Sequence, residues 1–297
     1  MSTSTLASKE FVKKFLIFME ESCSSFHAVA TTKTILQHAG FSRINESDEW
    51  KLLPGGKYYF TRNCSSMIAF TVGTKYQIGN GITAIGAHTD SPCLKLKTKT
   101  CCVKSNALML NVQGYGGGLW HTWFDRDLGI AGRVIIKNSD GTLASRLVRI
   151  NKPIARIANV AIHLNTPTER EAFKINLHEH ARAILSMDAA SLHVDPDDMN
   201  NMIHPCLAKI LANQMDVDYK SIMDAELQLI DVQPPCLGGI NDDLLYSGRL
   251  DNLCSTYQTT RSLVDSDVAD SENIRIAMLF DHEEVLYICV YICVYVG

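Results

Sequence analysis

The sequence predicts an α/β protein whose helix-and-strand framework is interrupted by a β-rich insertion. Three observations predict it. Helical patterns alternate with short apolar runs in the first and last thirds of the chain, strand signals crowd together from Ala107 to Leu164, and the apolar runs of the outer thirds end on ionisable residues. The last pattern is that of open α/β sheets, which place their sites at strand C-termini. At 297 residues the chain is long enough for one large or two modest domains.

The elements follow in order. Phe11, Phe15, Leu16 and Phe18 or Met19 recur at helical spacing after Ser8, which is a fair N-cap. "SFHAVATTKTILQHAGF" reads as a second helix stopped by Gly40. "SMIAFTVG" and "ITAIGAHTD" read as strands bounded by turn residues. In the middle, "ALMLNVQGY", "GRVIIKN", "SRLVRI" and "NVAIHL" read as strands, "HPCLAKILANQM" as a helix and "DAELQLIDVQ" as the strand that closes the region. After "SGRLDN" an amphipathic helix, "LCSTYQTTRSLV", precedes a buried strand, "IRIAMLFD".

Composition narrows the function classes. A hydrophobic fraction of 46% with 20% charged residues suits a soluble globular protein. The net charge of -4, with no Lys/Arg run, argues against a nucleic-acid partner. The polar N-terminus has no signal-peptide pattern, and no apolar run reaches the ~20 residues that span a bilayer, so no membrane partner is expected. Ten scattered cysteines without zinc-ribbon spacing read as reduced thiols of a cytoplasmic protein.

Three strand-end motifs could carry chemistry. In "AIGAHTDSP", His88 could hold a metal with Asp90 orienting it, or the segment could be an ordinary strand-end turn with Asp90 in an Asx turn. Asp251 in "SGRLDN" stands at a strand-to-helix junction, where an N-cap Asp is common. In "FDHEEV" one of the adjacent glutamates Glu283 and Glu284 could ligate a metal while the other takes a proton from water; a solvated loop is the alternative. Carboxylates crowded at a buried edge repel unless a cation neutralises them. One imidazole with several carboxylates suits zinc or manganese, and paired metals would activate water. No G-x-S-x-G elbow supports a nucleophile hydrolase instead.

The order H-T-D-S-P, R-L-D-N, F-D-x-E-E-V resembles the aspartyl aminopeptidase family of metallopeptidases, as do "FHAVA" and "YGGGLWHTWFDRDLGIAGRV". The resemblance implies a catalytic α/β domain in two parts, 1–97 and 237–285, around an inserted β-rich dimerisation domain, 98–236. It implies two zinc ions per complete site, with manganese as an alternative. His88 and Glu284 would ligate one metal each, Asp251 would bridge both, Glu283 would be general base and Asp90 would support His88. His163 would reach the substrate in a neighbouring subunit of a homo-oligomer, although by its residues alone it reads as a strand histidine with a structural hydrogen bond. Trp120, Trp123 and Phe124 read as core, and His121 matches no family role. The implied substrate is a peptide with an unblocked N-terminal Asp or Glu.

The resemblance stops at Val285, where the family continues with a further metal-binding Asp and His. The catalytic domain is therefore expected to be incomplete and inactive alone, with a non-catalytic assembly subunit as the rival reading. Residues 286–297 repeat Tyr-Ile-Cys-Val, which a TA/TG dinucleotide repeat encodes. Read-through into non-coding DNA is the expectation, and a spliced transcript joining the Val285 codon to this repeat would sink it. The repeat also has the uncharged, β-prone character of an aggregating segment.

Overall fold

The computed structural model describes residues 3–190, 192 and 202–285. The Tyr-Ile-Cys-Val repeat, with the aggregation expectation attached to it, lies outside them. Two compact units divide the chain: residues up to Ser91 with those from Pro234 onward, and Pro92–Gln233.

The first unit begins with α1 (Thr3–Glu21) and α2 (Ser25–His38), then β1 (Ser42–Arg43), β2 (Lys57–Arg62), β3 (Ser66–Val72) and β4 (Ile82–His88). Ser8 lies inside α1 and does not cap it, because no Gly or Pro stops the helix from extending back to Thr3. Ser24 caps α2 by accepting from the His27 N–H, and Gly40, at φ +83°, turns the chain out of it.

The second unit runs β5 (Cys93–Lys104), β6 (Ala107–Tyr115), β7 (Leu128–Lys137), β8 (Leu143–Ala155), α3 (Pro167–Glu171), α4 (Leu177–His180), β9 (Ala183–Ser186), α5 (Pro205–Met215) and β10 (Ile222–Asp231). The chain then returns to the first unit through β11 (Cys236–Gly238), β12 (Leu244–Tyr246), α6 (Leu250–Asp265) and β13 (Ile274–Phe280).

In the first unit the sheet order is β1-β2-β3-β13-β4, so the last strand inserts between two early ones. β13 runs antiparallel to β3 and parallel to β4, with Phe280 in register with His88. One sheet face buries Tyr59, Met67, Ala69, Ala277 and Leu279 against Val29 and Leu36 of α2 and Leu263 of α6. Each buried Val, Leu or Met among these contributes about 1.5–3 kcal/mol when removed from water. Tyr257 of α6 packs among Phe11, Phe15 and Phe18 of α1 at ring separations of 5.1–5.4 Å, which fastens α1 to α6.

The second unit is a six-stranded sheet, β8-β7-β10-β5-β6-β9, all of whose neighbours are antiparallel. Its core gathers Leu110, Leu128, Ile130, Val134, Leu227 and Leu229 with Leu207 and Leu211 of α5. Trp120, Trp123 and Phe124 pack at the margin of this core, only partly buried. At Gly132, φ is +154° and a Cβ would lie 2.0 Å from the Glu226 carbonyl oxygen, so β7 and β10 pair this closely only around a glycine.

"NVAIHL" is not a strand. Residues 158–161 have no sheet partner and Ile162–Leu164 form a 3-10 turn, so the apolar alternation there is spent on solvent. Among the described residues no helix is long and apolar enough to cross a membrane. The described cysteines are free thiols.

Candidate metal site

The register of β4 and β13 builds the site. Because His88 pairs with Phe280, the segments that leave the two strands emerge side by side, and the Thr89 N–H donates to the Phe280 carbonyl at 2.7 Å. Beyond Phe280, His282 takes a left-handed φ of +71°, a conformation His adopts more readily than most residues. That turn brings Glu283 and Glu284 back toward β4. His88, Glu283 and Glu284 then offer ligand atoms that all lie within 4.8 Å of one another.

The start of α6 completes the wall. The His88 N–H donates to Asn252 Oδ1 at 3.3 Å, Thr256 Oγ1 donates to the His88 carbonyl at 2.7 Å, and Ser91 Oγ donates to the Asp251 carbonyl at 2.9 Å. Asp251 is not a capping residue: the N-cap is Arg249, in a left-handed conformation and without a side-chain capping bond, and Asp251 sits non-helical in the first turn. Its side chain is exposed, with Oδ1 3.3 Å from His88 Nε2. The Asp251–Asn252 peptide is cis.

Asp90 is 4% exposed and serves two neighbours. Its backbone carbonyl lies 3.0 Å from His88 Nδ1. A carbonyl only accepts, so Nδ1 carries a proton, and Nε2 is the nitrogen that faces Asp251 and, at 3.7 Å, Glu283. The Asp90 carboxylate stands further from Nδ1, at 3.5 Å, and its other oxygen accepts the Glu284 N–H at 3.2 Å. Asp90 thus fixes the imidazole through its main chain and the Glu284 backbone through its side chain.

The electrostatics are those of a site short of positive charge. Burial works against the His88 imidazolium, yet the carboxylates of Asp90 and Glu283 outweigh it and hold the imidazole above its ordinary value. Burial pushes Glu284 up, and repulsion from Asp90, Asp251 and Glu283 pushes in the same direction against the pull of His88. A divalent cation among these groups would relieve both conflicts. One imidazole and two carboxylates within 4.8 Å are also a donor set zinc accepts, so the residues fit the metal.

Asn252, Thr256 and Ser91 were not predicted as parts of this site. Asn252 and Thr256 are four residues apart, but Asn252 is itself non-helical, so helical spacing would not have flagged them together. His163 belongs to the second unit, where it is exposed in its 3-10 turn between Ile162 and Leu164, at 61% and 78% exposure.

Residues 18–286 match the family model described as aminopeptidase I zinc metalloprotease (M18). The chain belongs to the M18 family. As an M18 chain it is 40% identical over 298 residues to a probable aspartyl aminopeptidase of Ricinus communis, covering 90% of this chain and 61% of the relative. It is 40% identical to the aspartyl aminopeptidase of Aspergillus oryzae, covering 91% of this chain and 60% of that one. Ape4, solved by cryo-electron microscopy in complex with Nbr1, superposes at a TM-score of 0.90 with 36% identity over 96% of this chain and 57% of its own. The chain therefore spans about three fifths of the length of the curated relatives it matches. The α/β expectation holds, and zinc is the metal of the M18 family.

Proposed function

We propose that this M18 chain carries the metal site of an aspartyl aminopeptidase and acts on peptides with an unblocked N-terminal Asp or Glu. The observation that carries the reading is the convergence of His88, Glu283 and Glu284 within 4.8 Å, with Asp251 against His88 Nε2 and Asp90 beneath. His88, Asp251 and Glu284 would hold the metal, Asp251 being shared by two zinc ions. Zinc held there would supply a lowered pKa for water and polarisation of a peptide carbonyl. Glu283, half-buried and aimed at the same space, accepts the proton of the attacking water at a carboxylate oxygen and returns it to the departing amine. Asp90 holds His88 in the Nδ1–H tautomer throughout.

His163 contributes to substrate binding in a neighbouring subunit, and the second unit joins the homo-oligomer. The free thiols fit a cytoplasmic setting.

Zinc and manganese titrations of the whole chain by calorimetry test the site, with His88→Ala as the comparison. Assay follows on an N-terminal Asp peptide and on its acetylated form. Binding that His88→Ala leaves unchanged would overturn the metal assignment. Equal hydrolysis of free and acetylated peptides would overturn the aminopeptidase reading.

A further inference from the structure

We infer that Asp125 is the positioning residue of the segment that carries His163. The function of that segment rests on the reading of His163 given above; the anchoring itself rests on hydrogen bonds within the second unit.

The segment from Ala158 to Asn165 has little to hold it. It has no strand partner, and Val160, Ile162 and Leu164 are 59%, 61% and 78% exposed, so burial contributes almost nothing to its shape. Its two ends are fixed. On one side Arg156 bridges Ile184 through both backbone groups, at 3.1 and 2.8 Å, and Ile157 is fully buried. On the other, Thr166 and Glu169 close a capping box at the start of α3.

Between these ends, among the described residues, the segment is linked by a side chain to the rest of the unit at Asp125. Its Oδ1 accepts the Asn159 backbone N–H at 3.1 Å, and its Oδ2 accepts Asn159 Nδ2 at 2.7 Å. The Asp125 N–H donates to the Ile157 carbonyl at 2.8 Å, a bond made from a left-handed conformation at φ +59° that Asp tolerates. Arg156 Nε stands 3.8 Å from Oδ1 and its Nη1 donates to Asp127 at 3.1 Å, so the guanidinium ties two carboxylates of the "FDRD" run together. The neighbouring Arg126 donates to Asp231 of β10 and to the Thr122 carbonyl, which holds that run against the sheet. One carboxylate thus grips both the backbone and the side chain of Asn159, four residues before His163. Charge-assisted pairs of this kind are about twice as strong as neutral hydrogen bonds.

Asp125→Asn separates this role from a general one. The amide retains an oxygen for the backbone N–H but loses the charge, and Asn159 must turn its own amide over to meet the new NH2, so the charge-assisted bond becomes a neutral one. Hydrogen exchange of the whole chain should then rise at least ten-fold for the hydrogen-bonded amides of Asn159, Leu164 and Asn165, with β7 and β8 protection unchanged. The exchanged pair Asp125→Asn with Asn159→Asp restores a carboxylate facing an amide NH2 and should restore slow exchange. Asp127→Asn, which leaves Asn159 untouched, should not disturb the segment. Unchanged exchange in Asp125→Asn, or failure of the exchanged pair to recover protection, would overturn the inference. Where the assembly turns over peptide, Asp125→Asn should raise KM several-fold with kcat and bound zinc kept. If exchange rises as expected while His163→Ala retains full turnover, the anchor stands and the reading of His163 falls.

Discussion

The metal edge of the first unit and the His163 segment of the second hold functional side chains in opposite ways. At the metal edge, residues distant in sequence are locked by main-chain register: Phe280 pairs with His88, and the first turn of α6 is bonded to both the strand and the segment after it. In the segment a short run is steered by a single carboxylate, with its apolar residues facing solvent. Register fixes positions to fractions of an ångström because shifting it would break a whole ladder. A side-chain anchor fixes only what it touches, and it leaves the rest free to adapt to whatever it meets.

Four changes would break or sharpen that contrast. The largest effect belongs to His88→Ala, which removes the one imidazole among carboxylates and should weaken zinc at least ~100-fold, read by calorimetry. Zinc binding should also weaken as pH falls. The His88 pKa is raised, so the proton that metal must displace is already bound at pH values below that raised pKa. An affinity independent of pH between 5 and 8 would count against His88 as a ligand.

Gly132→Ala tests register in the second unit. The added methyl would meet the Glu226 carbonyl, and its φ would be forced on a residue with a Cβ. A loss of about 3 kcal/mol is expected, seen as collapse of exchange protection in β7 and β10. Full protection would mean that the two strands can part and re-pair without cost.

Asp90→Asn should be milder, because the main-chain carbonyl that orients His88 survives. Zinc affinity is expected to fall about 10–100-fold through loss of the grip on the Glu284 N–H. A loss equal to that of His88→Ala would mean that the carboxylate itself does more than position its neighbours.

The smallest effect concerns His204, which caps α5 by accepting the Cys206 N–H at Nδ1. Burial holds its pKa below the ordinary 6.5. The unfolded chain therefore takes up the proton first, so stability is fully present above pH 6.5 and declines as pH falls toward the lowered value. The cap is worth about 1 kcal/mol. His204→Asn keeps an acceptor without titrating, and its stability between pH 7 and 5 should be the flatter of the two in parallel denaturant melts.

The strands that feed the site were legible because their apolar runs end abruptly on His88, Asp90, Glu283 and Glu284. The helices α2, α5 and α6 were legible from their periodicity and their Gly or Pro boundaries. Strand β5 was not, since the exposed Thr98, Lys99 and Lys104 and the buried but polar Thr100 break up the apolar run of Cys93, Leu94 and Cys101. "NVAIHL" misled for the converse reason: alternation reports a sheet only where a neighbour exists, and none stands beside residues 158–161.

By itself the sequence determined the α/β class, the residue types of a zinc site and the M18 motifs that carry them, because local pattern and side-chain chemistry travel with the chain. Tertiary structure alone decided that β13 enters between β3 and β4 and so sets Glu283 and Glu284 beside His88. It alone decided that Asp90 holds His88 by its carbonyl and Glu284 by its carboxylate, and that Asp125 grips Asn159. Such pairings depend on strand register and on which neighbour a side chain meets, and both are set by long-range packing.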